Sequence, residues 1–96
     1  MIQTVLQNGT PVQIWFSHRK EKNSFGRNHN ADMVTVCDVK VDGLTFTGKA
    51  FKIVEDNFNK SIGRKTALTK ALRYATDMLS KSDRRTVWEA YFKSCR

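Results

Sequence analysis

The dipeptide Asp42-Gly43 constrains this chain most, because it lies between two runs that each read as a β-strand. MVTVCDVKV precedes it and LTFTGKAFKI follows, both rich in the β-branched and aromatic residues that suit a pleated, half-buried surface. A two-residue type I′ turn needs positive φ at both central positions, and Asp-Gly supplies it at low cost. With that dipeptide at the turn centre, Val41 pairs with Leu44, Val39 with Phe46, Cys37 with Gly48 and Thr35 with Ala50 on one largely apolar face. The other face receives Lys40 with Thr45, Asp38 with Thr47, Val36 with Lys49 and Val34 with Phe51. Gly48 and Ala50 leave a shallow place on the apolar face where a helix can approach closely, and Gly48 is also a candidate bulge.

Asn8-Gly9 gives the same signal earlier, between MIQTVLQ and TPVQIWFSH. A two-residue turn there places Val5 opposite Val12 and Met1 opposite Phe16. Met1, Val5, Val12, Ile14 and Phe16 then share one face, and Ile2, Leu6 and Trp15 share the other with Thr4 and Gln13. Pro11 lacks an N–H and belongs at a strand end or edge. Residues 19–32, RKEKNSFGRNHNAD, are polar, contain Gly26 and follow neither a strand nor a helix period. They are expected to form a mobile basic loop centred on Glu21 to Asn30.

Lys60 to Ser80 carries the longest helical period. Leu68, Ala71, Leu72, Ala75, Met78 and Leu79 follow the spacing that lines one face of a helix, with Ser61 as the expected cap. Lys65, Thr66, Thr69, Lys70, Arg73 and Asp77 fall on the other side. Arg64 and Lys65 open this helix, where the macrodipole disfavours cations and favours an anion. Ser82-Asp83 then starts a second helix, with a stripe of Val87, Trp88, Tyr91, Phe92 and Cys95 and with Arg85, Glu89 and Lys93 at i,i+4 spacing on the solvent side. The aromatic stripe reads as core that covers the sheet.

The expected order is therefore ββββαα: a single α+β domain over residues 1–96. Two hairpins make a four-stranded antiparallel sheet, and both C-terminal helices pack on one face of it. The 96 residues suffice for one modest core. Lys and Arg number 17 against 9 acidic residues, a formal net charge of +8, which spreads positive potential over a small surface and favours a polyanionic partner. An excess of Lys also serves solubility alone.

Several chemistries lack their residues. Cys37 and Cys95 have no C-x-x-C or paired-His spacing, and neither His18 nor His29 has a carboxylate or Cys at ligand spacing. There is no phosphate-cradling Gly-rich loop, acid pair or nucleophile elbow, so no enzymatic activity and no cofactor are expected. Met1 to Gln7 lacks the apolar core of a secretory signal, and no apolar run reaches the ~20 residues that span a bilayer. A cytoplasmic protein with reduced thiols is expected.

From Gly48 to Leu72 the succession Gly48-Lys49-Ala50, Asp56-Asn57-Phe58-Asn59-Lys60, Gly63-Arg64-Lys65-Thr66-Ala67-Leu68 and Lys70-Ala71-Leu72 resembles small bacteriophage-encoded proteins of unassigned function. That resemblance implies a phage origin and, since such products redirect or block host machinery, a host partner. Arg64-Lys65 with Ala67 and Ala71, following the Asp42-Gly43 hairpin, is also similar to the final hairpin and helix of double-stranded RNA-binding domains. Here a hairpin occupies the place of that family's first helix, and two helices follow the sheet.

The reading that follows is a nucleic-acid-binding protein, RNA ahead of DNA, with phosphate contacts from Arg64, Lys65, Lys70 and Arg73. Lys60 and the basic residues Arg19, Lys20 and Arg27 extend that footprint. The alternative is an inhibitor or adaptor that binds an acidic surface of a host protein through Trp15 and Phe51, on the sheet face away from the helices. No membrane is involved in either. The oligomeric state is not fixed by the sequence, and a homodimer is compatible with it.

Overall fold

A computed structural model of the chain describes residues 1–22, 31–51 and 60–94, with side chains at 20–22, 31–33 and 60–61 excepted. Four strands, β1 (Ile2–Val5), β2 (Pro11–Lys22), β3 (Ala31–Val41) and β4 (Leu44–Phe51), precede two helices, α1 (Lys60–Tyr74) and α2 (Lys81–Ser94). The strands form one antiparallel meander in the order β1-β2-β3-β4. Each strand therefore pairs with its neighbour in sequence, and β1 and β4 are the edges. The α+β order ββββαα is the expected one.

The β3–β4 hairpin has the expected register throughout, from Val41↔Leu44 to Val34↔Phe51. Asp42 and Gly43 take φ of 49° and 81°, the positive pair that a type I′ turn requires. Pairing runs unbroken past Cys37↔Gly48, so Gly48 carries no bulge.

The first hairpin departs from expectation by one residue. Ile2 faces Ile14 and Thr4 faces Val12, where Val5 opposite Val12 was expected. The turn is longer than two residues: the Gly9 N–H donates to the Leu6 carbonyl (2.9 Å), and the Leu6 N–H donates to the Thr10 carbonyl (2.9 Å). Asn8 accepts the Thr10 N–H through its side chain at 3.0 Å, and only Gly9 of the Asn-Gly pair has positive φ (88°). This is a type I turn closed by a left-handed glycine, the three-residue alternative to a type I′ loop. A one-residue slip exchanges the faces of a strand. Accordingly Leu6 is buried and Ile2 packs against the core, while Met1 and Val5 are exposed.

Strand pairing also extends into the segment 19–32 that was expected to be a loop. Arg19 to Lys22 continue β2 and pair with Val34 to Ala31. The β-branched run of β3 templates its partner beyond the point where composition stops favouring a strand. Residues 23–30, with Arg27 and His29, lie outside the described residues.

Both helices pack on the face that carries Val12, Ile14, Cys37, Val39 and Ala50, with α1 over β3 and β4 and α2 against β1. From α1, Ala67, Leu68, Ala71, Leu72 and Ala75 enter the core as the spacing predicts. Burial of each leucine is worth roughly 1.5–3 kcal/mol, which outweighs the few tenths to ~1 kcal/mol that a basic first turn without acids costs against the dipole. Ser61 lies inside the first turn of α1, since the helix already includes Lys60.

Helix α1 ends at Tyr74, six residues before the expected end at Ser80. The Ala75 N–H bonds to the Leu72 carbonyl (3.1 Å) and the Leu79 N–H to the Ala75 carbonyl (2.8 Å), so the chain tightens and turns. Leu79 stays buried, whereas Met78 is exposed, contrary to the helical spacing. Ser80, in place of the expected Ser82, caps α2. Its hydroxyl accepts the Asp83 N–H (3.1 Å) and Asp83 accepts the Ser80 N–H (3.2 Å), a reciprocal capping box. From α2, Val87 and Tyr91 are buried, with the Tyr91 ring edge-on to Phe16 at 5.6 Å, while Phe92 is exposed. Cys95 lies outside the described residues.

Helix α1 approaches the sheet closely at Gly48. A Cβ there would overlap the Ala67 carbonyl oxygen and lie 2.5 Å from the Ala71 backbone nitrogen. Both atoms belong to the α1 backbone and cannot rotate away. Gly48→Ala is therefore expected to lower stability by about 1–3 kcal/mol in urea denaturation, although alanine suits a strand better than glycine. An unchanged midpoint would mean that α1 does not rest on β4 at this position.

Candidate nucleic-acid interface

A group of cations lies along the end of α1, toward the β4 edge on one side and toward α2 on the other. A groove of about 540 Å³ over that edge is lined by Thr47, Lys49 and Phe51 of β4 and by Lys70, Arg73 and Tyr74 of α1. Arg73 also lines a second groove, between the helices, with Thr69, Leu72, Thr76, Arg84 and Trp88. Arg84 and Trp88 continue into a third, with Lys81, Ser82 and Arg85. Through these shared residues the three grooves form one strip. Among the described residues its lining contains six cations (Lys49, Lys70, Arg73, Lys81, Arg84 and Arg85) and no carboxylate.

Local structure explains why they converge. The short turn 75–80 brings the end of α1 to the beginning of α2, which places Arg73 beside Arg84 and Trp88. Two of the cations are held by backbone carbonyls: the Lys70 ammonium donates to the Lys49 carbonyl (2.9 Å) and the Arg84 guanidinium to the Leu79 carbonyl (3.2 Å). An ammonium has three donors and a guanidinium five, so each bond orients its cation and leaves donors for an anion. Arg85 meets Glu89 at 3.6 Å with both side chains exposed, a pair worth little in water.

The sequence-derived candidates divide. Lys70 and Arg73 belong to the strip. Lys65 lies about 140° around the helix from Lys70, on the flank toward α2, with its ammonium 5.8 Å from the centre of the Phe92 ring. Arg64 is half-buried near the helix start. Neither Arg64 nor Lys65 lines the grooves of the strip. Arg19 is exposed on the outer face of the sheet, in the row Arg19–Val34–Phe51, two strand spacings or about 10 Å from Phe51. Lys20 lies in β2 and Lys60 opens α1, both with side chains outside the description, and Arg27 is outside the described residues.

Trp15 and Phe51 share the outer face but form no patch. Trp15 lies level with Asp38 and Thr47, so Phe51 is four residues further along the strands, about 13 Å, and two strands across. Phe51 belongs instead to the strip. Asp38, beside Trp15, accepts a 2.6 Å hydrogen bond from Thr47, and Val36, midway between the two rings on β3, is buried.

The strip includes residues that the sequence pattern concealed. Arg85 reads as a solvent-side partner of Glu89 and Trp88 as core, while Lys81 and Arg84 have no reading of their own. Tyr74, at the last position of α1, drew no notice. The usable signal was the basic cluster Lys81-Ser82-Asp83-Arg84-Arg85 next to an aromatic at 88.

His18 has a structural place. Its Nδ1 is 3.0 Å from the Thr35 hydroxyl, which is buried directly beneath Gly63 of α1. Cys37 is buried in the core, and that burial, with a smaller contribution from the Asp38 carboxylate, pushes its thiol from 9.0 up to about 12. The chain matches no protein-family model, no curated protein and no solved structure.

Because the folded state raises the Cys37 pKa, the neutral thiol stabilises the fold fully below pH 9. That contribution is lost as pH rises through about 12. In a Cys95→Ser variant, Cys37 is expected to resist alkylation at pH 8 until denaturant unfolds the protein, because only the thiolate is nucleophilic. Rapid labelling of the native protein would show instead that the core opens readily around β3.

Proposed function

We propose that this chain is a non-enzymatic nucleic-acid-binding protein that holds phosphates along the strip formed by the β4 edge, the end of α1 and the start of α2. The observation that supports this reading is the set of six cations, with no carboxylate among the described lining residues, along grooves that share Arg73, Arg84 and Trp88. A polyphosphate backbone neutralises such a row by releasing condensed counterions, a gain that a single small anion cannot match. Lys70 and Arg84 are held in place before binding, which lowers the ordering cost of their contacts. RNA is the first polymer to try, and a cytoplasmic location goes with this reading.

An acidic protein surface would also meet cations, but Trp15 and Phe51, the anchors expected for it, lie too far apart on the sheet to act as one.

Binding to a fluorescent oligonucleotide should weaken steeply with salt. Contacts to four to six phosphates predict a log–log slope of about −3 to −5. The pair Lys81→Gln with Arg85→Gln is expected to reduce that slope by between one and two and to weaken binding at least tenfold at 100 mM salt. The pair Arg64→Gln with Lys65→Gln removes the same charge away from the strip and should change affinity only a few-fold. Equal losses from the two pairs would reduce the site to diffuse net charge, and binding insensitive to salt would reject the phosphate mechanism.

A further inference from the structure

We infer that the polymer taken by this strip is single-stranded, with unpaired bases stacking on the aromatic rings that lie among its cations. The inference rests on the nucleic-acid reading above and specifies its substrate. Tyr74 is 68% exposed and Phe51 45% exposed, and both line the groove that Lys70 and Arg73 make cationic. Trp88 lines the two further grooves, with Arg84 in both. Every section of the strip thus combines positive charge with an aromatic ring.

The arrangement has a cost that the fold does not require. Apolar ring surface left in water forgoes roughly 25 cal/mol for each Å² that burial would remove. Tyr74 and Phe51 could be polar without disturbing the core, since neither belongs to its packed cluster. Trp88 is better fixed: it stacks on Phe92 with ring centres 5.7 Å apart and planes 26° from parallel, and it meets Tyr91 at 5.8 Å. A ring held in this way is a stiff platform that loses little entropy when a base lies against it.

The two forms of nucleic acid use these groups differently. A duplex keeps its bases stacked inside, presents phosphates alone to a shallow strip, and leaves the three rings idle. A single strand offers phosphates to the cations and base faces to the rings together, and stacking tolerates any sequence because every base has a π-face. Stacking on a ring does not read base edges, so weak sequence preference belongs to the inference.

The test compares fluorescein-labelled 15-mers of U and of dT with 15-base-pair RNA and DNA duplexes, by anisotropy at one salt concentration. Single strands are expected to bind at least tenfold more tightly than duplexes, and the U and dT arms assign the sugar. Tyr74→Ala should weaken single-strand binding about tenfold with an unchanged salt slope and little change for duplexes, while Tyr74→Phe should bind as the unaltered chain does. In a Trp15→Phe variant, whose one remaining tryptophan is Trp88, single strands should quench the fluorescence and duplexes should not. Equal affinity for single strands and duplexes, with Tyr74→Ala indistinguishable from the parent, would overturn the inference and leave the phosphate reading standing. No binding of any of the four polymers at 50 mM salt would overturn both.

Discussion

The contact between Gly48 and the backbone of α1 is the constraint on which the remaining structure depends. A hydrogen in place of a side chain lets the helix lie directly on β4 at Ala67 and Ala71, with Lys70 close alongside. Lys70 can then reach the Lys49 carbonyl and Arg73 can share a groove with Phe51 of the edge strand. A larger residue at 48 would lift α1 from the sheet and separate the two halves of that groove. The same approach buries Leu68 and Leu72 and so holds a helix whose basic first turn works against its own dipole. Packing fixes position here, and position gathers charge.

Six cations in one strip repel one another, and the fold tolerates this for identifiable reasons. The side chains are solvated, where repulsion between unit charges 8–10 Å apart is only a few tenths of a kcal/mol in water and is screened further by salt. Two of them return part of the cost as hydrogen bonds to backbone carbonyls at an edge strand and near a helix end. The Lys70 bond also occupies a carbonyl on β4, an edge strand that would otherwise present its row of polar groups to other chains.

The sequence carried most of the fold because local signals agreed with the global arrangement. Asp42-Gly43 set one register completely, and the flanking valines left no competing pairing. Asn8-Gly9 misled by one residue because the same dipeptide serves two turns: in this hairpin only Gly9 adopts positive φ, and the Asn8 side chain holds the loop from outside. The length of α1 was misjudged for a related reason. Ala75 and Leu79 are buried on the expected face, so the apolar period runs on through a turn that is no longer helical. That error hid the candidate site, since a helix continuing to Ser80 would carry Arg73 away from Arg84. Lys70 and Arg73 were legible as an exposed basic face. Their junction with Lys81, Arg84, Arg85 and Trp88 arises from tertiary packing and has no local signature.

The central claim is that one strip, and no other surface, receives the polymer. Amide chemical-shift mapping of the ¹⁵N-labelled protein titrated with a U 15-mer tests it most directly. The account predicts that the perturbed amides cluster at residues 47–51, 69–76 and 81–88, with Trp15 and its neighbours in β2 unmoved. Shifts centred on Trp15, or confined to Arg64 and Lys65 at the start of α1, would contradict it.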